Sequence, residues 1–222
     1  MFATLKPSSL ITAGITSALL LIPNIAVATA QLSAIVEHSD PSNTQVSPFE
    51  LLASGTIVHL GANETLILGY LSSCRQEQIT GGTVSIGNSQ SSVTNGTVEV
   101  ELVPCSGVEY NIADQQSLSA GATIFRNLPD PTTIPKQTIH STQPIIMAPQ
   151  KQGTMILEPD NLALAVLEFE TYNGYVDLAA HDQSLKAGET YFITLGKNWV
   201  IFTVAEDAND QTQSIISRLV MM

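Results

Sequence analysis

Two cysteines, Cys74 and Cys105, bracket a stretch rich in Gly, Thr and Val, and the 222-residue chain contains no others. They stand downstream of an N-terminal export signal. An exported chain with a single pair of cysteines is expected to join them, because thiols oxidise outside the cytosol. The bridge closes a loop of about 30 residues, worth ~3.5 kcal/mol in the chain-entropy model, and staples a β-rich segment. Free buried thiols and a redox or catalytic thiol are the alternatives. Neither cysteine lies in a C-x-x-C motif, the usual setting of an activated thiol.

The export signal is read from residues 1–30. Lys6 supplies a positive start, Leu10 to Val27 is apolar with small residues, and Ala28-Thr29-Ala30 forms an A-x-A cleavage site before Gln31. Leu71-Ser72-Ser73-Cys74 has the look of a lipoprotein box but lies far downstream of that apolar run, so lipidation is not expected. No later segment approaches the ~20 apolar residues that span a bilayer. The expected location is periplasmic or secreted.

Eight Lys and Arg stand against 20 Asp and Glu, a net charge of −12. That balance excludes nucleic acid as an expected partner, since phosphate contacts need a basic surface. It also disfavours anionic lipid. A protein or envelope partner remains.

Hydrophobic patterning reads as strands throughout. Leu32, Ala34 and Val36 alternate before Ser-Asp-Pro-Ser-Asn turn chemistry, a strand and loop or a loose arm. Ile57–Leu60 and Thr65–Tyr70 are short β-branched and apolar runs separated by Gly-Ala-Asn-Glu. Val84 and Ile86 alternate with small polar residues after Gly81-Gly82. Asn95-Gly96 reads as a hairpin turn, because both positions tolerate positive φ. The Thr97–Val103 run then predicts a half-buried strand with Glu99 and Glu101 facing out. Asn111–Arg126 permits a helical turn or a strand at 122–125. Five prolines between Asn127 and Gln150 predict a connection with an edge strand at 144–147. Further strands are expected at 154–157, 163–169, 174–178, 191–195 and 200–204. A polar loop at 207–213 precedes a last strand or short helix at 214–222.

The expected architecture is therefore all-β: an antiparallel, sandwich- or barrel-like N-terminal domain with a disulfide, plus a second antiparallel β unit. Its divisions are a signal peptide at 1–30, an N-terminal domain at 31–126, a Pro-rich connection at 127–150 and a C-terminal unit at 151–222.

Chemistry-bearing motifs are scarce. His38, His59, His140 and His181 form none of the H-x-H, H-x-x-x-H or H-E-x-x-H patterns that hold a metal. His181-Asp182 reads as a solvated turn. Glu168 and Glu170 share a strand face, and a solvated face accounts for them better than a hydrolytic pair. Asp207-Ala208-Asn209-Asp210 opens like a calcium loop but has Thr212 and Arg218 where Gly and Glu are needed. Asn63-Glu64-Thr65 and Asn95-Gly96-Thr97 are formal glycosylation sequons. No cofactor, catalytic or metal-ligating residue is expected. Gly81 and Gly82 mark the candidate partner surface, where backbone can be approached closely, or else serve bulges and turns.

The segment from Leu68 through Cys74-Arg75-Gln76-Glu77-Gln78 to Val84, with Gly87, Gln90-Ser91, Val93, Gly96 and Val103-Pro104-Cys105, resembles an uncharacterised family of exported Gram-negative bacterial proteins. That family is distantly like the periplasmic β domain of FecR-type regulators. Leu185–Tyr191, Val200–Val204 and Ser217-Arg218-Leu219 resemble its C-terminal β unit. The resemblance implies an exported, non-catalytic, all-β structural or binding protein that works through a partner. A secreted hydrolase or thiol-redox enzyme using Cys74 or surface carboxylates is the alternative.

Overall fold

The computed structural model describes residues 31–105, 137–210 and 214–222. The export signal expected at 1–30 and the helical turn or strand expected within 111–126 lie outside the described residues. The rest is almost all β, 58% strand and 4% helix, as the alternation predicts.

Leu32–Ser39 (β1) is a strand with partners on both sides. Leu51–Ala53 (β2) flanks it on one side and Ile57–Tyr70 (β3) on the other, all antiparallel. Arg75–Ile86 (β4) pairs along β3, and Ser91–Thr94 (β5) and Thr97–Leu102 (β6) both pair with β4. This sheet curls into a half-barrel. Its concave side carries Ala34, Val36, Leu66, Leu68, Tyr70, Ile79, Val84 and Ile86, buried together with Val46 and Leu52.

Asn95-Gly96 is not a hairpin turn. Thr94 pairs with Thr83 and Thr97 with Thr80, so β5 and β6 run on as one line beside β4. Asn95 does take a positive φ of 58°, opposite Gly81 (67°) and Gly82 (84°). These residues flip the pleat. Buried side chains of β4 are Glu77 and Ile79 before the glycines and Val84 and Ile86 after them, a change from odd to even. Without the flip, one half of a long strand would turn its apolar residues to solvent. The hairpin between β4 and β5 is made instead at Gly87, whose N–H donates to Gln90 O at 3.1 Å.

The C-terminal part is two layers. Gln137–Ser141 (β7), Ile145–Met147 (β8), Gly153–Pro159 (β9), Leu167–Thr171 (β10) and Tyr175–Asp177 (β11) come first. Thr190–Leu195 (β12), Asn198–Asn209 (β13), one helical turn Ile215–Arg218 (α1) and Leu219–Met221 (β14) follow. Five strands in the order β10-β9-β12-β13-β7 face three in the order β11-β8-β14. Between them sit Ile139, Ile146, Met155, Leu157, Ile193, Phe202, Val204 and Val220.

Several expectations are corrected here. Residues 145–147 form the central strand of their sheet rather than an edge; Pro144 precedes the strand, so its missing N–H removes no ladder bond. Residues 137–147, inside the stretch read as a connection, supply β7 and β8. Two pairings, β7 with β13 and β8 with β14, are parallel. Residues 163–166 are not strand, and β13 runs on through Asn209 into the segment expected as a loop. The last segment is both of the forms expected, a helical turn and then a strand.

The two parts meet at a third apolar cluster. Ile35 and Leu71 from the half-barrel pack with Ile145, Ile216, Leu219 and Met221. At its rim Glu37 accepts hydrogen bonds from the Ser214 hydroxyl and from Ile216 N (3.3 Å) through one oxygen, and from Gln76 Nε2 (2.7 Å) through the other. Gly69 makes room for this, since a Cβ there would overlap Glu37 and Ile216.

Candidate functional site

Cys74 and Cys105 are joined, with Cα atoms 5.5 Å apart. The bond ties the β3–β4 turn to the chain just past β6, where Val103 N also donates to Cys74 O at 2.9 Å. Its structural consequence is specific: it anchors the end of the strand that forms the open rim of the half-barrel.

β6 pairs with β4 and with no other strand among the described residues. Its alternation is as expected, but its burial is not. Val98, Val100 and Leu102 lie opposite Ile79, Glu77 and Arg75, on the concave face, yet are 39%, 46% and 75% exposed. A side chain of this kind gains ~1.5–3 kcal/mol on full burial, and here that gain is unrealised. Because Val103 N bonds to Cys74 O, just before β4, alternate residues turn their backbone groups away, so the N–H and C=O of Val98, Val100 and Leu102 point outward from the edge. Glu99 and Glu101 occupy the opposite face, paired in register with Gln78 and Gln76, and among the described residues neither has an ion pair.

Under the apolar rim lies a polar cluster that sequence reasoning missed. Glu77 is 1% exposed. One of its oxygens accepts from Arg75 Nε at 2.6 Å and the other from Ser91 N at 3.0 Å. Tyr70 Oη shares a hydrogen bond with Ser91 Oγ at 2.7 Å. Burial pushes the Tyr70 hydroxyl up to about 12, with the Ser91 bond opposing that rise. Both carboxylate oxygens of Glu77 are partnered within the protein, so the cluster closes on itself and braces the sheet. The signal was present: Glu77 falls in phase with Ile79 on an apolar strand face, where a charge needs partners.

A second polar feature is an open groove of about 280 Å³ lined by Ser42, Asn43, Gln45, His59, Gly61 and Glu64 among others. Glu64 accepts from Gly61 N (2.9 Å), Ser42 Oγ (2.7 Å) and Asn43 Nδ2 (3.2 Å). The Gly61 and Ser42 bonds hold its carboxyl below the usual range. Those bonds occupy the carboxylate in fastening the 40–45 loop to the β3 bulge.

The remaining sequence candidates are scattered. Gly81 and Gly82 sit inside the sheet, where a Cβ at Gly82 would overlap the Thr94 carbonyl oxygen and one at Gly81 would lie 3.0 Å from Ala62 O. The space their missing side chains leave is taken by neighbouring backbone. His181 and Asp182 end a 3-10 turn at Ala179–His181 and are exposed, with the His181 ring centroid 5.1 Å from that of Phe169. Glu168 and Glu170 are exposed on β10, and Glu170 accepts from Thr154 Oγ1 at 2.7 Å. Among the described residues no group of three or more His, Cys, Asp or Glu is placed to hold a metal, and no helix is long and apolar enough to cross a membrane.

A scan against protein-family models, a search of curated proteins and a search of solved structures each give no match to this chain.

Proposed function

We propose that this chain is an exported, non-catalytic structural or binding protein of the bacterial envelope, periplasmic or secreted, that acts through a protein partner. The observation that carries the reading is the joined Cys74–Cys105 pair, a bond that persists in oxidising compartments. The export signal read at residues 1–30 and the FecR-like resemblance of the segment around Cys74 support it. An open strand edge with an uncovered apolar row supplies a surface on which a partner can act.

Intact-mass measurement of protein recovered from cells tests the compartment and the covalent state together. The expected product begins at Gln31 and gains one hydrogen per cysteine on reduction. Two free, fast-alkylating thiols in the exported protein would instead favour the thiol-enzyme alternative. Crosslinking in intact envelopes then tests the partner: a reproducible heterologous adduct is expected, and recovery solely as an isolated monomer overturns the binding role.

A further inference from the structure

The rim strand β6 offers three things in register over Thr97–Leu102. Val98, Val100 and Leu102 present a half-exposed apolar row on the concave face. The same three residues direct backbone N–H and C=O groups outward, to where no strand lies among the described residues. Glu99 and Glu101 present two carboxylates on the convex face, in a protein of net charge −12. An added strand meets all three at once: its backbone completes the ladder, and its side chains alternate between the two faces.

Charge decides what such a strand must carry. A second copy pairing antiparallel about Val100 would set Glu99 against Glu101 on the same face, and directly opposed like charges destabilise a strand pair. An extended segment with Lys or Arg at alternate positions and apolar residues between them places cations against Glu99 and Glu101 and covers the apolar row. Resting on the binding role above, we propose that β6 is a strand-addition site for an extended protein segment of alternating basic and apolar residues. The disulfide holds the receiving strand in place, because it anchors the chain three residues beyond Leu102.

The test uses the exported, oxidised chain. The probe is a capped peptide of about seven residues alternating Val and Lys, long enough to lie along the strand. Controls have the same composition in two blocks, or Glu in place of Lys. The alternating Val/Lys peptide is expected to protect the amides of Val98, Val100 and Leu102 from hydrogen exchange. The double variant Glu99→Lys with Glu101→Lys should weaken it about tenfold and accept the Val/Glu peptide instead. Both positions are exposed, so the variant keeps the fold.

Four outcomes overturn the proposal. Two are equal binding of the block and alternating peptides and an affinity left unchanged by the charge exchange. Protection of the Val98, Val100 and Leu102 amides without peptide would place a second copy or another part of this chain on the edge. A chain that ignores every peptide yet crosslinks to an envelope protein elsewhere loses the strand-addition site and keeps the binding role. One that takes the peptide but is not exported keeps the strand-addition site and loses the exported, envelope role.

Discussion

Gln137 holds Met221 as a neighbouring strand would. Its Nε2 donates to Met221 O at 2.6 Å and its Oε1 accepts from Met221 N at 2.9 Å, across 84 residues of sequence. β14 pairs with β8 on one side, and on the other a side-chain amide supplies both partners that a ladder would. The arrangement is buried, with Gln137 5% exposed. Replacing Gln137 by Met keeps the volume and strands a backbone donor and acceptor. The expected loss is about 2–4 kcal/mol, read from urea unfolding at unchanged m-value. A change inside 0.5 kcal/mol, on the order of surface substitutions, would show that Met221 finds other partners.

Removal of the disulfide should loosen β6 before the rest of the molecule. Cys74→Ser with Cys105→Ser is expected to lower stability by about 3.5 kcal/mol. In hydrogen exchange the Glu99 and Glu101 amides, which face β4, should lose protection while the Ile193 and Phe202 amides of the C-terminal core change little. Uniform loss across both cores would mean that the bond restrains the whole chain rather than the rim.

Gly82 and Gly55 both have positive φ, 84° and 88°, but different surroundings. Nothing lies within 4 Å of a Cβ placed on Gly55, so Gly55→Ala should cost about 1 kcal/mol of backbone strain. Gly82→Ala adds a clash with the Thr94 carbonyl and the Asn95 backbone, and should cost roughly 3 kcal/mol or more. Paired thermal melts measure the difference, and equal costs would show that the crossing of the strands yields easily.

Alkaline titration should expose the buried Tyr70. A phenol whose folded value lies above its unfolded one stabilises the fold fully below the unfolded value, and that contribution disappears as pH rises through the folded value. With an ordinary value of 10.0 and a folded one of about 12, the loss falls between pH 10 and 12. After a discount for partial solvation it is about 2 kcal/mol or less. Tyr70→Phe should flatten stability across that window, and phenolate absorbance measures the titration directly. An unchanged pH profile in the variant would assign the alkaline loss to other groups.

What was legible in the sequence was local. Alternation at Thr97–Leu102 identified a strand and the face of each residue, and the cysteine count with the expectation of export pointed to the bond now seen between Cys74 and Cys105. Asn95 was correctly read as tolerant of positive φ, yet whether the chain turns back there or flips its pleat depends on Gly81 and Gly82 lying alongside. Glu77 stands in phase with Ile79 as a charge on an apolar face, but Ser91, whose N–H it accepts, comes from another strand.

The sequence by itself determined that this protein is built of strands, where most of them run, and which cysteines could staple them, because side-chain period and oxidation chemistry act over a few residues or by simple count. Tertiary structure alone decided that residues 145–147 lie at the centre of a sheet, that Gln137 completes β14, and that Val98, Val100 and Leu102 stay uncovered on a concave face. Each of those depends on which distant backbone groups come to pair, and pairing is settled by burial and hydrogen bonding across the whole fold rather than by the order of neighbours in the chain.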